Sequence, residues 1–344
     1  MVSCLARECW KFICIAELVV AVYLSAELKV LGSDHGMADP RIILHHFDES
    51  PFSEKIRLIF GLKKLAWSSV RISRIMPRPD LMPLTGGYRR TPVLQIGADI
   101  YCDTQCIMRE LERRFPKPCL VPNGYQGLVW AAAMWTDRSF FQNTVNLVFG
   151  TLADKVPAAF IADREQLRGA KFDIAAMKAA IPQMRDQFRS HLEWIDIQLR
   201  DERLWIAGDT PSLCDVDAYM NIWYARTNLD YAADLLGEYD HARCWAARLH
   251  AIGHGERTEM SSSEALALAT AATPQTEELP DLDDPNGRKV GDRVEVMPDD
   301  YGKVRVGGEV VALSAQHIAI RRRDPQAGEV VVHFPRAGFL VFDA

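Results

Sequence analysis

Two short segments of this chain hold residue types that suit a small peptide with an anionic end. The first spans residues 42–57: an apolar run, a turn, and then Ser50-Pro51-Phe52-Ser53-Glu54-Lys55-Ile56-Arg57. Serine is a favoured N-cap and proline a favoured first helical residue, so Ser50 is predicted at the mouth of a helix. A hydroxyl there faces unpaired backbone N–H groups and the positive end of the helix dipole, which stabilise a nearby anion such as a thiolate. Ser53 stands one turn further on and is the alternative hydroxyl. The second segment is Arg90-Thr91-Pro92-Val93-Leu94, running on to Tyr101-Cys102-Asp103-Thr104. Asp103-Thr104 opens another helix, whose free N–H groups and threonine hydroxyl suit a carboxylate.

The apolar pattern around these groups defines the elements that must place them. Residues 42–47 read as a buried strand and residues 51–64 as a helix with Phe52, Ile56, Ile59 and Phe60 on its apolar side. Residues 67–72 form a second strand, and 78–87 a loop with at most a short helix. Residues 92–96 and 100–102 form a hairpin turning at Gly97. A helix follows from residue 103 to 115. Residues 119–256 are helical in pattern, with long helices at 125–149 and 174–199. Ser212-Leu213-Cys214-Asp215 forms a capping-box-like pair before an apolar run.

Together these motifs resemble the glutathione S-transferase family. The resemblance rests on the Ser50–Arg57 run, on Thr91-Pro92-Val93-Leu94 where the family carries Val-Pro-x-Leu, and on Asp103-Thr104 where it carries an acid followed by Ser or Thr. Ser212-x-x-Asp215 is similar to the folding box of the family's helical domain. The match covers residues 40–256. It implies an α/β plus all-α fold, with a thioredoxin-like glutathione-binding domain at 40–118 and an all-helical domain at 119–256. Ser50 is then the thiol-activating residue, with Ser53 as the other candidate. Thr91, before a cis-Pro92, would pair through its main chain with the cysteinyl part of glutathione. Thr104 would hold the γ-glutamyl carboxylate, and Asp103 the γ-glutamyl amino group. Arg89 or Arg90 suits the glycyl carboxylate.

Glutathione is a thiol of pKa well above 7, so lowering that pKa by ~2 units contributes ~2.7 kcal/mol and makes most of the bound thiol reactive. A serine hydroxyl donating to sulfur does this. The implied reaction is attack of the thiolate on a small electrophile; a glutathione-dependent isomerase or dehalogenase would use the same thiolate. Serine at position 50 argues against a mixed-disulfide mechanism, which needs cysteine. The family also implies a homodimer; nothing implies a cofactor beyond glutathione as co-substrate, and the scattered cysteines fit a reducing, cytoplasmic location. The electrophile is expected near the aromatic helix carrying Trp130, Met134, Trp135, Phe140 and Phe141, most of which are core residues by type.

Beyond residue 256 the family pattern stops. Residues 257–286 are Ser-, Ala-, Pro- and acid-rich and read as a linker with one short helix at 264–270. Residues 287–344 read as four short alternating strands, an appended small antiparallel SH3-like β-barrel. A competing function follows from it: a non-catalytic transferase-like scaffold that binds a protein partner through the barrel.

Composition narrows the classes further. The chain has 344 residues, enough for two or three domains, and a formal net charge of -6, which disfavours nucleic acid as a partner. Its 8 cysteines form no C-x-x-C pair or ligand cluster, so neither zinc nor a dithiol site is implied. The pairs His45-His46 and His250/His254 lack further ligands. Residues 1–36 hold an apolar stretch interrupted by Glu17, Glu27 and Lys29, which argues against a membrane span. Met37 precedes the first strand closely, so residues 1–36 are read as an upstream extension translated from a mis-assigned start.

Overall fold

The computed structural model describes residues 41–275 and 284–344; the reading of residues 1–36 as an upstream extension lies outside the described residues. Strand β1 (Ile42–His46) is buried throughout and leads through a turn into helix α1 (Pro51–Leu62), capped by Ser50 with Pro51 in its first turn. β2 (Ala66–Arg71) lies parallel to β1. After the short helix α2 (Leu81–Thr85), β3 (Val93–Ile96) runs antiparallel to β1, and β4 (Asp99–Cys102) antiparallel to β3. α3 (Thr104–Arg114) follows, with Asp103 as its cap. This is a thioredoxin-like arrangement.

The helical domain departs from the sequence reading in two places. The helix expected over 125–149 is two helices, α4 (Gln126–Trp135) and α5 (Phe141–Leu152), joined by a π-helical turn at Thr136–Phe140. The helix expected over 174–199 is also split, after α6 (Ala158–Arg168), into α7 (Ile174–Ala179) and α8 (Ile181–Gln198). Pro182 explains the second break, because proline is tolerated only in a first turn. α9 (Leu213–Asn228), α10 (Ala232–Leu236) and α11 (Asp240–Ile252) complete the domain.

The segment expected as linker is structured in its first half. β5 (Glu256–Glu259) pairs parallel with β2, and α12 (Ser262–Ala271) carries a Ser261/Glu264 capping box. Ala265 and Ala269 are fully buried, and Gln95 Nε2 donates to the Ala265 carbonyl at 2.8 Å. Small alanines that resemble linker composition instead let the helix lie close against the sheet.

The appended strands β6 (Arg293–Pro298), β7 (Val306–Leu313), β8 (His317–Asp324), β9 (Gly328–Pro335) and β10 (Phe339–Asp343) form a strand-rich region whose neighbours pair antiparallel. Its edge is not free. β9 pairs parallel with β4, giving a ten-stranded order β10-β6-β7-β8-β9-β4-β3-β1-β2-β5. Leu84, Tyr88, Val93 and Ile100 share one apolar core with Val310, Ile320, Val332 and Phe334. The region is therefore fused to the thioredoxin-like sheet, and that pairing covers what would otherwise be an exposed edge.

Candidate active site

The turn that presents Ser50 is held by charged residues inside α1. Arg57 is buried, pairs with Glu54 at 2.7 Å, and donates to the carbonyls of Phe47 and Asp48. These bonds pin residues 47–48 against the helix, and Ser50 N–H donates back to the Phe47 carbonyl at 3.1 Å. Ser50 Oγ accepts from Ser53 N–H at 3.2 Å, which leaves its own hydrogen able to donate elsewhere. Ser50 lines a cleft of about 680 Å³ between the thioredoxin-like and helical domains. Ser53 does not line it; its hydroxyl is buried without a partner.

Thr91 lines the same cleft, and the Thr91–Pro92 peptide is cis. Arg78 Nη1 donates to Thr91 Oγ1 at 3.2 Å and to the Arg89 carbonyl at 2.7 Å, so a buried guanidinium sets this loop. An adjoining pocket of about 60 Å³ is lined by Thr91, Pro92, Asp103 and Thr104. Asp103 caps α3 by accepting from Gln105 N–H at 3.0 Å and adopts φ 75°, ψ 141°. Such a backbone costs on the order of 1–3 kcal/mol for a non-glycine residue, and it persists because the cap and the strand end together determine it. Burial raises the Asp103 pKa.

Behind this pocket lies a buried ionic group that sequence reasoning missed. Lys55 Nζ meets Asp137 at 2.7 Å and Asp217 at 2.6 Å, and donates to Thr104 Oγ1 at 3.4 Å. It thus ties α1 and α3 to the π turn and to α9. Burial raises the pKa of Asp137, with Asp217 adding repulsion and Lys55 opposing. The π turn brings Asp137 and Arg138 to the cleft wall; such turns recur at functional sites. Lys55 lies within the quoted motif, and its one signal was a charge in the first turns of a helix otherwise apolar on that side.

The appended region supplies another wall. In the loop between β6 and β7, Asp300 and the Tyr301 carbonyl engage the Arg90 guanidinium, which also stacks 3.9 Å from the Tyr301 ring centroid. Arg138 pairs with Asp299 at 2.7 Å, and Gly302 N–H donates to the Leu167 carbonyl at 2.8 Å. Arg89 is instead paired with Asp163 of α6. No local signal in the sequence joins residues 299–302 to this cleft. Of the aromatic helix, Phe141 lines the cleft, Met134 lines the small pocket, and Phe140 lies in the core. Among the described residues no group of three or more His, Cys, Asp or Glu could hold a metal, and no helix is long and apolar enough to cross a membrane.

Comparison with known proteins agrees with this fold. The glutathione S-transferase N-terminal domain model matches residues 44–119, and the C-terminal domain model matches residues 178–259. The crystal structure of a GST-like protein from Pseudomonas syringae is 36% identical, with a TM-score of 0.74, covering 89% of this chain and 100% of that one. The chain belongs to the glutathione S-transferase family. The 89% share cannot be reached without the appended strands, so that GST-like protein carries at least part of them too. FtsZ-localized protein A of Caulobacter vibrioides (strain NA1000 / CB15N) is 26% identical over 214 residues, 60% of this chain and 85% of that protein. Within the family frame, Ser50 stands at the mouth of the first thioredoxin-like helix, and Asp215 of the helical-domain box accepts from Ser212 N–H and Ile206 N–H, each at 2.8 Å.

Proposed function

We propose that this chain is a glutathione transferase in which Ser50 donates its hydroxyl hydrogen to the glutathione sulfur. The observation that carries the reading is the placement of the Ser50 hydroxyl on the cleft wall at the N-terminus of α1, with its hydrogen uncommitted. The helix end adds a field favouring the thiolate. Thr91 would pair through its main chain with the cysteinyl unit. Thr104 and the first N–H groups of α3 would take the γ-glutamyl carboxylate, with Asp103 or Asp137 on the ammonium. The thiolate then attacks an electrophilic carbon in the cleft, forming the C–S bond as the leaving group departs or the carbon's π electrons shift. Homodimerisation belongs to the same proposal.

A second reading is favoured by a specific observation. The pocket at Asp103 and Thr104 is only about 60 Å³, and Tyr301, Gly338 and Phe339 of the appended region help to line it. A scaffold that holds a protein partner needs no open γ-glutamyl site, and one relative is named for localisation with FtsZ. Calorimetric titration of glutathione into the full chain, Ser50→Ala and Asp300→Ala separates the two. Under the transferase reading wild type and Ser50→Ala both bind, bound thiolate absorbs in the ultraviolet near pH 7 only when Ser50 is present, and Asp300→Ala binds more tightly. No binding to any of the three at millimolar glutathione overturns that reading and favours the scaffold.

A further inference from the structure

We infer that the cleft beyond Ser50 takes an apolar organic anion: an aromatic or alkyl body carrying a carboxylate or sulfonate. The inference rests on the transferase reading only in calling this ligand the second substrate. Its basis is an imbalance of charge against an apolar wall. Seven arginines and three carboxylates line the cleft, in a chain whose formal net charge is -6. The far wall is an aromatic cluster, with Phe149 at 5.6 Å from Phe160 and 5.1 Å from Phe172 between ring centroids. Guanidiniums lie over these rings. Arg164 is 4.3 Å and Arg74 is 5.2 Å from the Phe160 centroid, and Arg168 is 5.7 Å from that of Phe172.

The local acids do not balance them. Asp163 serves both Arg89 and Arg164, the latter at 2.8 Å, and also accepts from Met76 N–H. Glu49 lies 3.6 Å from Arg74. Among the described residues neither Arg168 nor the buried Arg78 has an ion pair; Arg78 spends its donors on backbone carbonyls and Thr91. Burial foremost, then the neighbouring Arg164 and Arg89, lowers the Arg78 pKa to about 10, with Asp163 opposing. A ligand that places its body on the phenyl wall and its anion among these guanidiniums gains apolar burial and charge-assisted hydrogen bonds together. A neutral ligand of the same shape gains only the first.

The test is calorimetric titration of the full chain, without glutathione, with 2-naphthoate and with 2-naphthamide, its neutral counterpart. The acid is expected to bind at least about tenfold more tightly than the amide, with a preference that shrinks at high salt. Arg168→Met, which has no ion pair to lose, and Arg74→Met should each cut the preference severalfold without altering the thermal midpoint. Equal affinity for the two compounds, binding of neither, or an unchanged preference in both variants overturns the inference. Glutathione titrated into the same samples keeps the two claims apart. Glutathione binding without acid preference removes only the ligand class, whereas acid preference without glutathione binding supports the ligand class and removes the transferase reading.

Discussion

Two serines open two helices in this molecule, and their neighbours give them different work. Ser212 starts α9 and Ser50 starts α1. Ser212 is fully buried, and its hydroxyl donates to Asp215 at 2.7 Å. The Asp215 carboxylate also accepts from Ser212 N–H, Ile206 N–H and Trp245 Nε1. Every polar atom there is spent on the fold. At Ser50 the residue three positions on is Ser53, which offers only its backbone N–H, and the hydroxyl hydrogen is left facing a cleft. Whether an acid stands at the third helical position decides if the cap hydroxyl is consumed by the fold, as at Ser212, or keeps its hydrogen for the cleft, as at Ser50.

The largest effect expected from breaking this comparison is at Asp215. Asp215→Ala orphans several buried donors and should cost at least about 3 kcal/mol of stability in urea denaturation; a loss below about 1 kcal/mol would mean the box is not a folding element. Ser50→Ala should behave in the opposite way. Its stability should fall by no more than about 1 kcal/mol. Turnover with a chromogenic electrophile such as 1-chloro-2,4-dinitrobenzene should drop about 100-fold, the equivalent of ~2.7 kcal/mol. Equal activity of the two proteins would leave Ser50 a plain cap.

A third measurement separates thiol titration from the pH dependence of the fold. Burial lowers the His45 pKa to about 4 and, with the Arg57 charge, that of His46 to about 3, from 6.5. Both are neutral when folded, so their stabilisation is complete above pH 6.5 and is lost as pH falls toward 4. Between about pH 7 and about pH 5 His45 alone should cost about 2 kcal/mol. Thermal midpoints of His45→Asn should fall less steeply over that range than those of wild type; parallel curves would exclude His45 as the sensitive group. The smallest effect belongs to Ser53→Ala. Its hydroxyl is buried and unpartnered, so stability should change by less than about 0.5 kcal/mol and bound-thiolate absorbance should stay as in wild type. Loss of the thiolate signal would transfer the role from Ser50 to Ser53.

Much of the fold was legible because short-range patterns carry it. Alternation, caps and prolines marked β1, α1, the β3–β4 hairpin and the start of α9. The errors have two sources. The break before Pro182 was legible, because a proline is tolerated only in a first turn, and the expected helix was drawn across it. The π turn and the seating of α12 by buried alanines depend on what packs against the chain, and local composition does not report that. Lys55 and Arg57 stood in the motif, but a charge in a helix reads as solvated until its partners are known; here those partners are Asp137 and Asp217 for one, and Glu54 with two carbonyls for the other.

By itself, then, the sequence determined the local conformations: a serine-proline helix start, an acid-threonine helix start and a capping box, each set by backbone groups within a few residues. Only the tertiary structure decided what faces the cleft. Arg90 meets Asp300 across more than two hundred positions of chain, Lys55 joins two domains, and Phe160 and Arg164 share a cleft with Ser50. These encounters follow from how β9 pairs with β4 and how helices pack, and long-range pairing leaves no periodicity in the residues it brings together.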